Sequence, residues 1–336
     1  MKWLITGGCG FIGINLIDRL MAEGGHTIRV VDNLSVGSRE DLASVCAFDE
    51  RAAEALGSPS EASGSVELVV GDILDERLAL AAARGFDAIV HLAANTGVAP
   101  SVEDPRADAL NNVFGTLNYL EAARHGGVRR FVFASSGAPV GECEPPIHEE
   151  LAPHPVSPYG ASKLAGEGYC SAYARTFGVE TVALRFGNVY GPRSSHKASV
   201  VARFIRRALA GETLEIYGDG GQTRDFIFVE DLTRAIRLAG EREGIGGEVF
   251  QIATSAETTV NELVEKLVPV LEGFGVRGIR VDHGPKRLGD VMRNFSDTSK
   301  AKTVLGWQAE VSLPEGLAKT ARWFMEHYRP VPHAAG

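Results

Sequence analysis

The stretch Thr6–Gly13, TGGCGFIG, decides the fold. It follows the apolar run Trp3 to Thr6 and leads into Phe11 to Met21, where apolar side chains recur at helical spacing. Its glycines fit G-x-G-x-x-G from Gly8 and G-x-x-G-x-x-G from Gly7. Glycines in a strand-to-helix turn let the backbone approach a pyrophosphate, and the helix N-terminus then offers it free N–H groups. The stretch therefore predicts a dinucleotide-binding site.

An acidic residue stands where such a site needs one. Asp32 follows the predicted strand Thr27 to Val31 and lies about 20 residues beyond Gly13. A carboxylate there accepts hydrogen bonds from both hydroxyls of the adenosine ribose and repels a 2′-phosphate. NAD is therefore the predicted cofactor, although Arg39 nearby offers a partner to the additional phosphate of NADP.

Further short apolar runs alternate with helical stretches. Val66 to Val70, Phe86 to Leu92 and Arg130 to Ala134 are mostly apolar throughout. Strands that are apolar on both faces belong to a parallel sheet covered by helices on both sides. The predicted fold class is therefore α/β, a Rossmann-type doubly wound parallel sheet with a smaller, mostly helical C-terminal lobe.

The regular alternation weakens in the second half of the chain. We expect a cofactor-binding domain over residues 1–186 and a substrate-binding lobe over residues 187–330, with the option that the chain crosses back to the first domain. The runs Glu215 to Tyr217 and Val249 to Ile252 are the candidate strands of the lobe. Residues 37–65 are interpreted as a surface excursion that contains a short helix.

Composition argues against several classes of function. The 336 residues carry a net charge of −9, which disfavours a general binder of nucleic acid or of membrane surfaces. No apolar run approaches the ~20 residues that span a bilayer, and the N-terminus lacks the features of a signal peptide. The 4 cysteines are scattered without metal-ligand spacing, so we expect neither disulfides nor a metal site, and a cytoplasmic location. His91 is interpreted as a core or rim histidine.

Tyr159 and Lys163 lie at positions i and i+4 of a segment predicted to be helical, so their side chains share one face. A nearby ammonium lowers the pKa of a phenol toward working pH, and such a tyrosine exchanges a proton with a sugar or alcohol hydroxyl. Ser135 and Ser136 end the preceding predicted strand, where a hydroxyl points into the same crevice. Taken singly, these residues also fit a surface pair and a turn.

Together with the glycine loop, these features resemble the extended short-chain dehydrogenase/reductase family of nucleotide-sugar epimerases and dehydratases. The resemblance covers nearly the whole chain, and its motifs have the family's order and spacing. The motifs are TGGCGFIG at 6–13, VVDN at 30–33, GDI at 71–73, HLAA at 91–94, NNVFGT at 111–116, SS at 135–136, YGASK at 159–163, NVYGP at 188–192 and RDFIFVEDL at 224–232.

The resemblance implies roles for individual residues. The implied catalytic residues are Ser136, Tyr159 and Lys163. The implied NAD site comprises Gly7, Gly10, Phe11, Ile12, Gly13, Asp32, Asn33, Asp72, Ile73, Leu92, Ala93, Ala94, Thr96, Asn112, Tyr159 and Lys163. The implied UDP-sugar site comprises Ser136, Asn188, Val200, Tyr217, Arg224, Arg287, Asp290 and Asn294.

The resemblance also implies the reaction. In the family, the tyrosine as phenolate removes the proton of the sugar's 4-hydroxyl while C4 gives hydride to NAD. Dehydratases and decarboxylases of the family carry acidic residues just after the catalytic serine or threonine, whereas Gly137 and Ala138 stand here and move no proton. Many relatives have tyrosine where Val140 stands. The implied function is 4-epimerisation of a UDP-hexose; a dehydratase, lyase or reductase acting on a nucleotide sugar and a non-catalytic NAD sensor are the alternatives.

The sugar and the assembly follow from the same resemblance. In the family the residue at the position of Asn294 sets the width of the sugar pocket, and asparagine is compatible with UDP-glucose and with UDP-N-acetylglucosamine. A basic cluster after NVYGP is a candidate for binding the carboxylate of UDP-glucuronate, a third substrate, or is a solvated loop; it comprises Arg193, His196 and Lys197. Relatives pair through helices before Ala123 and after Tyr159, so we expect a homodimer.

Overall fold

The protein is described by a computed structural model over residues 1–57, 64–286 and 292–329. Its strands are β1 (Lys2–Thr6), β2 (Thr27–Asp32), β3 (Asp49–Glu50), β4 (Val66–Val70), β5 (Ala88–His91), β6 (Arg130–Ser136), β7 (Glu180–Phe186), β8 (Asn188–Tyr190), β9 (Leu214–Tyr217), β10 (Thr223–Arg224), β11 (Phe226–Phe228), β12 (Glu248–Ile252), β13 (Thr258–Thr259) and β14 (Val281–Gly284).

The α-helices are α1 (Phe11–Glu23), α2 (Arg39–Ala43), α3 (Glu76–Ala83), α4 (Val98–Glu103), α5 (Pro105–Ala109), α6 (Gly115–Gly126), α7 (Pro158–Phe177), α8 (Val200–Leu209), α9 (Val229–Glu241), α10 (Val260–Gly273) and α11 (Leu313–His327). A 3₁₀ turn covers Ala53–Ala55, and π-helical turns cover Leu110–Phe114 and Ala301–Leu305.

Eight strands form the main sheet in the order β12-β7-β6-β5-β1-β2-β4-β3, and all neighbouring pairs are parallel. The chain order reverses at β1, which lies between β2 and β5. Ligands of doubly wound sheets bind outside the carboxyl ends of the strands at such a reversal. The four central strands end there at Thr6, Asp32, His91 and Ser136.

The two outer strands differ from the sequence-based expectation. The run Val249 to Ile252, predicted for the lobe, belongs to β12, which pairs in parallel with β7 and forms one edge of the main sheet. At the opposite edge, Asp49–Glu50 from the predicted surface excursion pairs with β4, and the predicted short helix of that excursion is α2. Both strands pair with segments distant in sequence, which the apolar pattern of a short run does not reveal.

Apolar side chains cover both faces of the main sheet. One cluster packs α1 and α9 against the sheet around Trp3, and a second packs α3, α6 and α7 around Phe131. A third cluster forms the core of the lobe from α8, α10 and α11 around Phe204. The lobe adds three two-stranded sheets, β8 with β11, β9 with β14 and β10 with β13.

The helices, acidic side chains and cysteines of the described residues bear on other classes of site. Within the described ranges, no helix is both long and apolar enough to cross a bilayer. The same residues hold no group of three or more histidine, cysteine or acidic side chains placed to bind a metal ion. Cys9, Cys46, Cys143 and Cys170 are free thiols.

Candidate active site

The glycine loop between β1 and α1 leaves no room for side chains. Gly7 has φ +68°, and a Cβ there would lie 2.7 Å from the backbone N of Ala93. A Cβ at Gly13 would lie 2.5 Å from the Cα of Gly8. Helix α1 begins after Gly10 without a side-chain cap and has no acidic residue in its first turn. Its N-terminal amides are thus left for an anion, which fits the pyrophosphate of a dinucleotide.

The Asp32 carboxylate lies beside this loop, only 8% exposed. Its two oxygens accept hydrogen bonds from the backbone N–H groups of Cys9 and Leu34, each at 2.9 Å. Burial raises the pKa of Asp32, and these two hydrogen bonds oppose the rise. Each carboxylate oxygen still has capacity for another donor, which fits two ribose hydroxyls.

Arg39, the possible partner for the additional phosphate of NADP, forms an ion pair with Glu50. Its Nε and Nη2 bind the two carboxylate oxygens of Glu50 at 2.7 and 2.8 Å. A guanidinium held by a bidentate carboxylate is less available to a 2′-phosphate. The geometry therefore favours NAD more strongly than the sequence alone.

The remaining predicted cofactor residues lie along the same edge of the sheet. Asn33 Nδ2 donates to Asp72 Oδ2 at 3.1 Å, which joins the ends of β2 and β4. Asn112 lies in the π-helical turn, and its side chain exchanges hydrogen bonds of 2.8 and 2.9 Å with the backbone of Asn95. The others lie beside these contacts: Ile73 against Gly115, Leu92 and Ala93 against Gly7, and Ala94 and exposed Thr96 in the segment after β5. Their roles in binding NAD stay predictions.

Tyr159 and Ser136 are brought together as predicted. Ser157 caps helix α7 by accepting a hydrogen bond from Gly160 N at 3.1 Å, which places Tyr159 in the first turn. The Ser136 side chain, at the end of β6, lies near enough to the Tyr159 phenol to act on its pKa. Burial raises the pKa of Tyr159 above its ordinary value, and the Ser136 side chain opposes that rise.

Lys163 does not act on the phenol in the way the sequence predicts. Its Nζ donates to the carbonyl of Ala134 at 2.9 Å and lies 5.9 Å from the centre of the Tyr159 ring. Burial lowers the pKa of Lys163 to about 8. The predicted direction of the Tyr159 pKa is therefore wrong for the protein residues alone, because desolvation outweighs the stabilisation of the phenolate.

A buried carboxylate that was not predicted from the sequence acts on both Tyr159 and Lys163. Asp108 is 1% exposed, and its Oδ1 accepts a hydrogen bond from Asn112 Nδ2 at 2.9 Å. The same amide nitrogen reaches Ser162 Oγ at 3.1 Å, and Ser162 Oγ donates to the Tyr159 carbonyl at 3.0 Å. The negative charge of Asp108 raises the pKa of both Lys163 and Tyr159. The sequence holds one signal for this contact, since Asp108 and Asn112 stand four residues apart and such residues share one face of a helix.

The five residues directly after Ser136, residues 137–141, carry no side chain able to move a proton. Ala138 N donates to Ser136 Oγ at 3.2 Å, and a Cβ at Gly160 would lie 2.6 Å from Ala138 O. Val140, which stands where relatives have tyrosine, is buried in this loop. Gly137, Ala138 and Val140 therefore add no titratable or hydroxyl group to the pair of Ser136 and Tyr159.

Part of the predicted substrate site gathers in the lobe. Asn188 N donates to Asp225 O at 2.8 Å, and Asn294 N donates to Thr223 Oγ1 at 3.2 Å. Both bonds lead to the segment that carries Arg224, whose Nη1 donates to Thr223 O at 2.7 Å. The guanidinium of Arg203, one turn after Val200 on α8, stacks 4.8 Å from the Tyr217 ring, a contact that sequence analysis missed. Arg287 and Asp290 lie outside the described residues.

The basic cluster after β8 divides into separate environments. Arg193 Nη1 lies 3.2 Å from Asn15 Oδ1 and 3.1 Å from Asp18 Oδ2 on α1, while His196 is exposed. Lys197 instead points toward Phe11, with its Nζ 5.7 Å from the ring centre. The three do not form one carboxylate-binding group.

Comparison with known proteins agrees with this geometry. The sequence profile of the NAD dependent epimerase/dehydratase family matches residues 3–253. A UDP-glucose 4-epimerase of Mycolicibacterium smegmatis is 40% identical over 96% of this chain and 98% of its own length. The crystal structure of a Thermotoga maritima UDP-glucose 4-epimerase with UDP-glucose superposes with a TM-score of 0.85 at 37% identity, covering 98% of this chain and all of the other.

A second solved structure bears on the cofactor. The UDP-glucose 4-epimerase of Thermus thermophilus in complex with NAD has a TM-score of 0.82 at 35% identity, covering 97% of this chain and 100% of that one. The match of the family profile extends over most of the chain, and the glycine loop, Asp32 and the Ser136–Tyr159 pair lie within it. The chain therefore belongs to the NAD-dependent epimerase/dehydratase family.

Proposed function

We propose that this protein is an NAD-dependent UDP-hexose 4-epimerase. The observation that carries the proposal is the proximity of Ser136 and Tyr159 at the carboxyl end of β6, with Gly137 and Ala138 directly after the serine. Under this proposal residues 1–186 hold the dinucleotide and residues 187–330 hold the UDP-sugar, while β12 returns to the first part.

The protein residues supply proton transfer and positioning. When bound, NAD would be the oxidant, accepting hydride from C4 of the sugar and later returning it. Tyr159 accepts the proton of the 4-hydroxyl and later gives it back. Ser136 holds the same oxygen by a hydrogen bond, and buried Lys163 places a positive charge at the end of β6, where it orients the ribose of the cofactor.

The absence of a proton-transfer group at residues 137 and 138 favours an isomerase. A dehydratase needs an acid and a base to remove water, and Gly137 and Ala138 supply neither. The 4-keto sugar therefore regains hydride on its other face, and the products are the two C4 epimers. Asn188, Val200, Tyr217, Arg224, Arg287, Asp290 and Asn294 are proposed to bind the UDP-sugar, either UDP-glucose/UDP-galactose or the N-acetylated pair.

Incubation of the purified protein with each UDP-sugar tests the proposal. We expect interconverted C4 epimers by chromatography or NMR, and no net change of absorbance at the NADH wavelength. Accumulation of a 4-keto-6-deoxy sugar would contradict the epimerase and support a dehydratase. Side-by-side rates with UDP-glucose, UDP-N-acetylglucosamine and UDP-glucuronate assign the sugar.

We also propose a homodimer in a reducing cytoplasm. Large apolar side chains on α4, the π-helical turn and α7 are exposed, among them Val102 (61%), Phe114 (54%) and Tyr169. Exposed apolar side chains clustered on neighbouring helices are typical of protein interfaces. Light scattering of the native protein and of Phe114→Glu tests the assembly: a monomeric native protein contradicts it. The four free thiols support the location.

A further inference from the structure

The loop between β8 and α8 crosses the N-terminus of α1 and is fixed there by polar contacts. Asn15 Nδ2 on α1 donates to the carbonyl of Pro192 at 3.3 Å. Arg193, with φ +65°, reaches back to Asn15 and Asp18. The lobe therefore meets the first turns of α1 through this segment, and the start of that helix is uncapped.

The backbone of the next residues in this loop is equally well held. Ser194 Oγ donates to Gly191 O at 2.6 Å, and Lys197 N donates to Ser194 O at 2.9 Å. Arg206 Nη1 from α8 donates to the carbonyls of Ser195 and Lys197 at 2.6 and 2.7 Å. Lys197 is thus placed by its own backbone, and its side chain extends to the Phe11 ring, 5.7 Å from Nζ.

The ammonium of Lys197 lacks a counter-charge in the protein. Within residues 1–57, 64–286 and 292–329, its Nζ has neither a hydrogen bond nor an ion pair, whereas Arg193 and Arg206 in the same loop region are both satisfied. Burial lowers the pKa of Lys197. A partly buried cation without a partner is costly, since buried charges are normally paired.

The position of this cation determines which anion fits it. Phe11 is the first residue of α1, whose amide groups are uncapped and whose first turn has no acidic side chain. The Lys197 ammonium lies beside the side chain of this first helical residue, and a cation near a helix N-terminus favours a phosphate. Two pyrophosphates belong to the proposed reaction, that of NAD and that of the UDP-sugar.

We infer that Lys197 is a pyrophosphate-binding residue at the junction of the lobe and the glycine loop. The inference deepens the proposed function and rests on it for the identity of the ligands. Lys197 is then separate from the candidate catalytic residues: it adds affinity for a ligand phosphate and takes no part in proton transfer. One charge-assisted contact of this kind changes affinity by about 10- to 100-fold.

The test compares Lys197→Met with Lys197→Arg and with the control Lys302→Met, which removes an exposed lysine far along the chain. Calorimetry with UDP, UDP-glucose and UDP-glucuronate on the NAD-loaded proteins measures nucleotide affinity. The fraction of NAD retained after dialysis and gel filtration measures cofactor affinity. Melting temperatures equal to that of the native protein show that the variants fold.

We expect Lys197→Met to weaken UDP and UDP-glucose binding about 10- to 100-fold, or to accelerate loss of NAD. The first result assigns the sugar nucleotide's pyrophosphate and the second the dinucleotide's. Lys197→Arg retains most of the affinity, and Lys302→Met changes neither quantity. The inference is overturned if Lys197→Met matches the control in both assays, or if only UDP-glucuronate binding weakens, which indicates a reader of the sugar carboxylate. Binding is measured without turnover, so failure to form epimers overturns the proposed function alone.

Discussion

Replacing Gly13 by alanine tests the cofactor site at a position where the structure leaves no room for a Cβ atom. Gly13 lies within α1, where alanine is normally favoured over glycine by about 1 kcal/mol. Here a Cβ would lie 2.5 Å from Gly8 Cα and 2.6 Å from the carbonyl oxygens of Gly7 and Gly8. All three atoms are backbone, so a side-chain rotation cannot relieve the contact.

The size of the effect follows from that overlap. Carbon atoms in contact prefer about 3.5–4.0 Å, so helix and loop must separate by about 1 Å. Overpacking of this kind costs about 1–3 kcal/mol. Since the loop is also the predicted pyrophosphate site, we expect NAD affinity to fall by about 5- to 150-fold, at roughly tenfold for each 1.4 kcal/mol.

The assay is NAD content after gel filtration, with the dissociation constant from calorimetry on the stripped protein. Gly273→Ala is the matched control, because Gly273 ends helix α10 and its Cβ would meet no atom within 4 Å. We expect the control to keep its NAD. Retention of NAD by Gly13→Ala at the native level would refute the assignment of this loop to the cofactor.

The other predictions concern proton transfer and charge. Tyr159→Phe should lower turnover at least about a hundredfold while NAD stays bound, measured by epimer formation and cofactor content; normal turnover contradicts the role of the phenol. Asp108→Asn removes the charge that raises the pKa of Lys163, so the pKa should fall below about 8 and the alkaline limb of the pH–rate profile should move to lower pH; an unmoved limb contradicts the coupling. Burial lowers the pKa of His91 from 6.5 to about 3, so the unfolded state binds one more proton between these values. Stability should fall by about 1.4 kcal/mol per pH unit on acidification through pH 5, and His91→Gln should reduce that slope in urea unfolding.

Features that depend on a local motif were predictable from the sequence. The doubly wound sheet, the family and the NAD cofactor are confirmed, since each rests on a strand-turn-helix signal such as residues 6–13 followed by Asp32. Tyr159 was correctly expected to meet the end of β6, because a helix after a parallel strand packs back on the same sheet. His91 is a core histidine, as interpreted, stacked against Phe133.

Features that depend on distant partners were not predictable. Whether Lys163 points to the phenol or to a carbonyl depends on Ala134, which lies on another element. The pairing of Arg193 depends on Asp18, far away in sequence, so three adjacent basic residues resembled one cluster. The run Val249 to Ile252 was assigned to the lobe because a short, mostly apolar run carries no information about its neighbour in a sheet.

The loop after β6 explains why Ser136 and Tyr159 keep a fixed relation although they come from different elements. Gly160, next to the tyrosine, has no side chain, and this lets the Ala138 carbonyl approach the first turn of α7. Ala138 N in turn donates to Ser136 Oγ, and the side chain of Val140 in the same loop is buried. The serine is therefore oriented by the same few residues that place no carboxylate or imidazole directly after it. A site that aligns a phenol with a hydroxyl and supplies no second proton donor is suited to move one proton out and back, as an epimerisation requires.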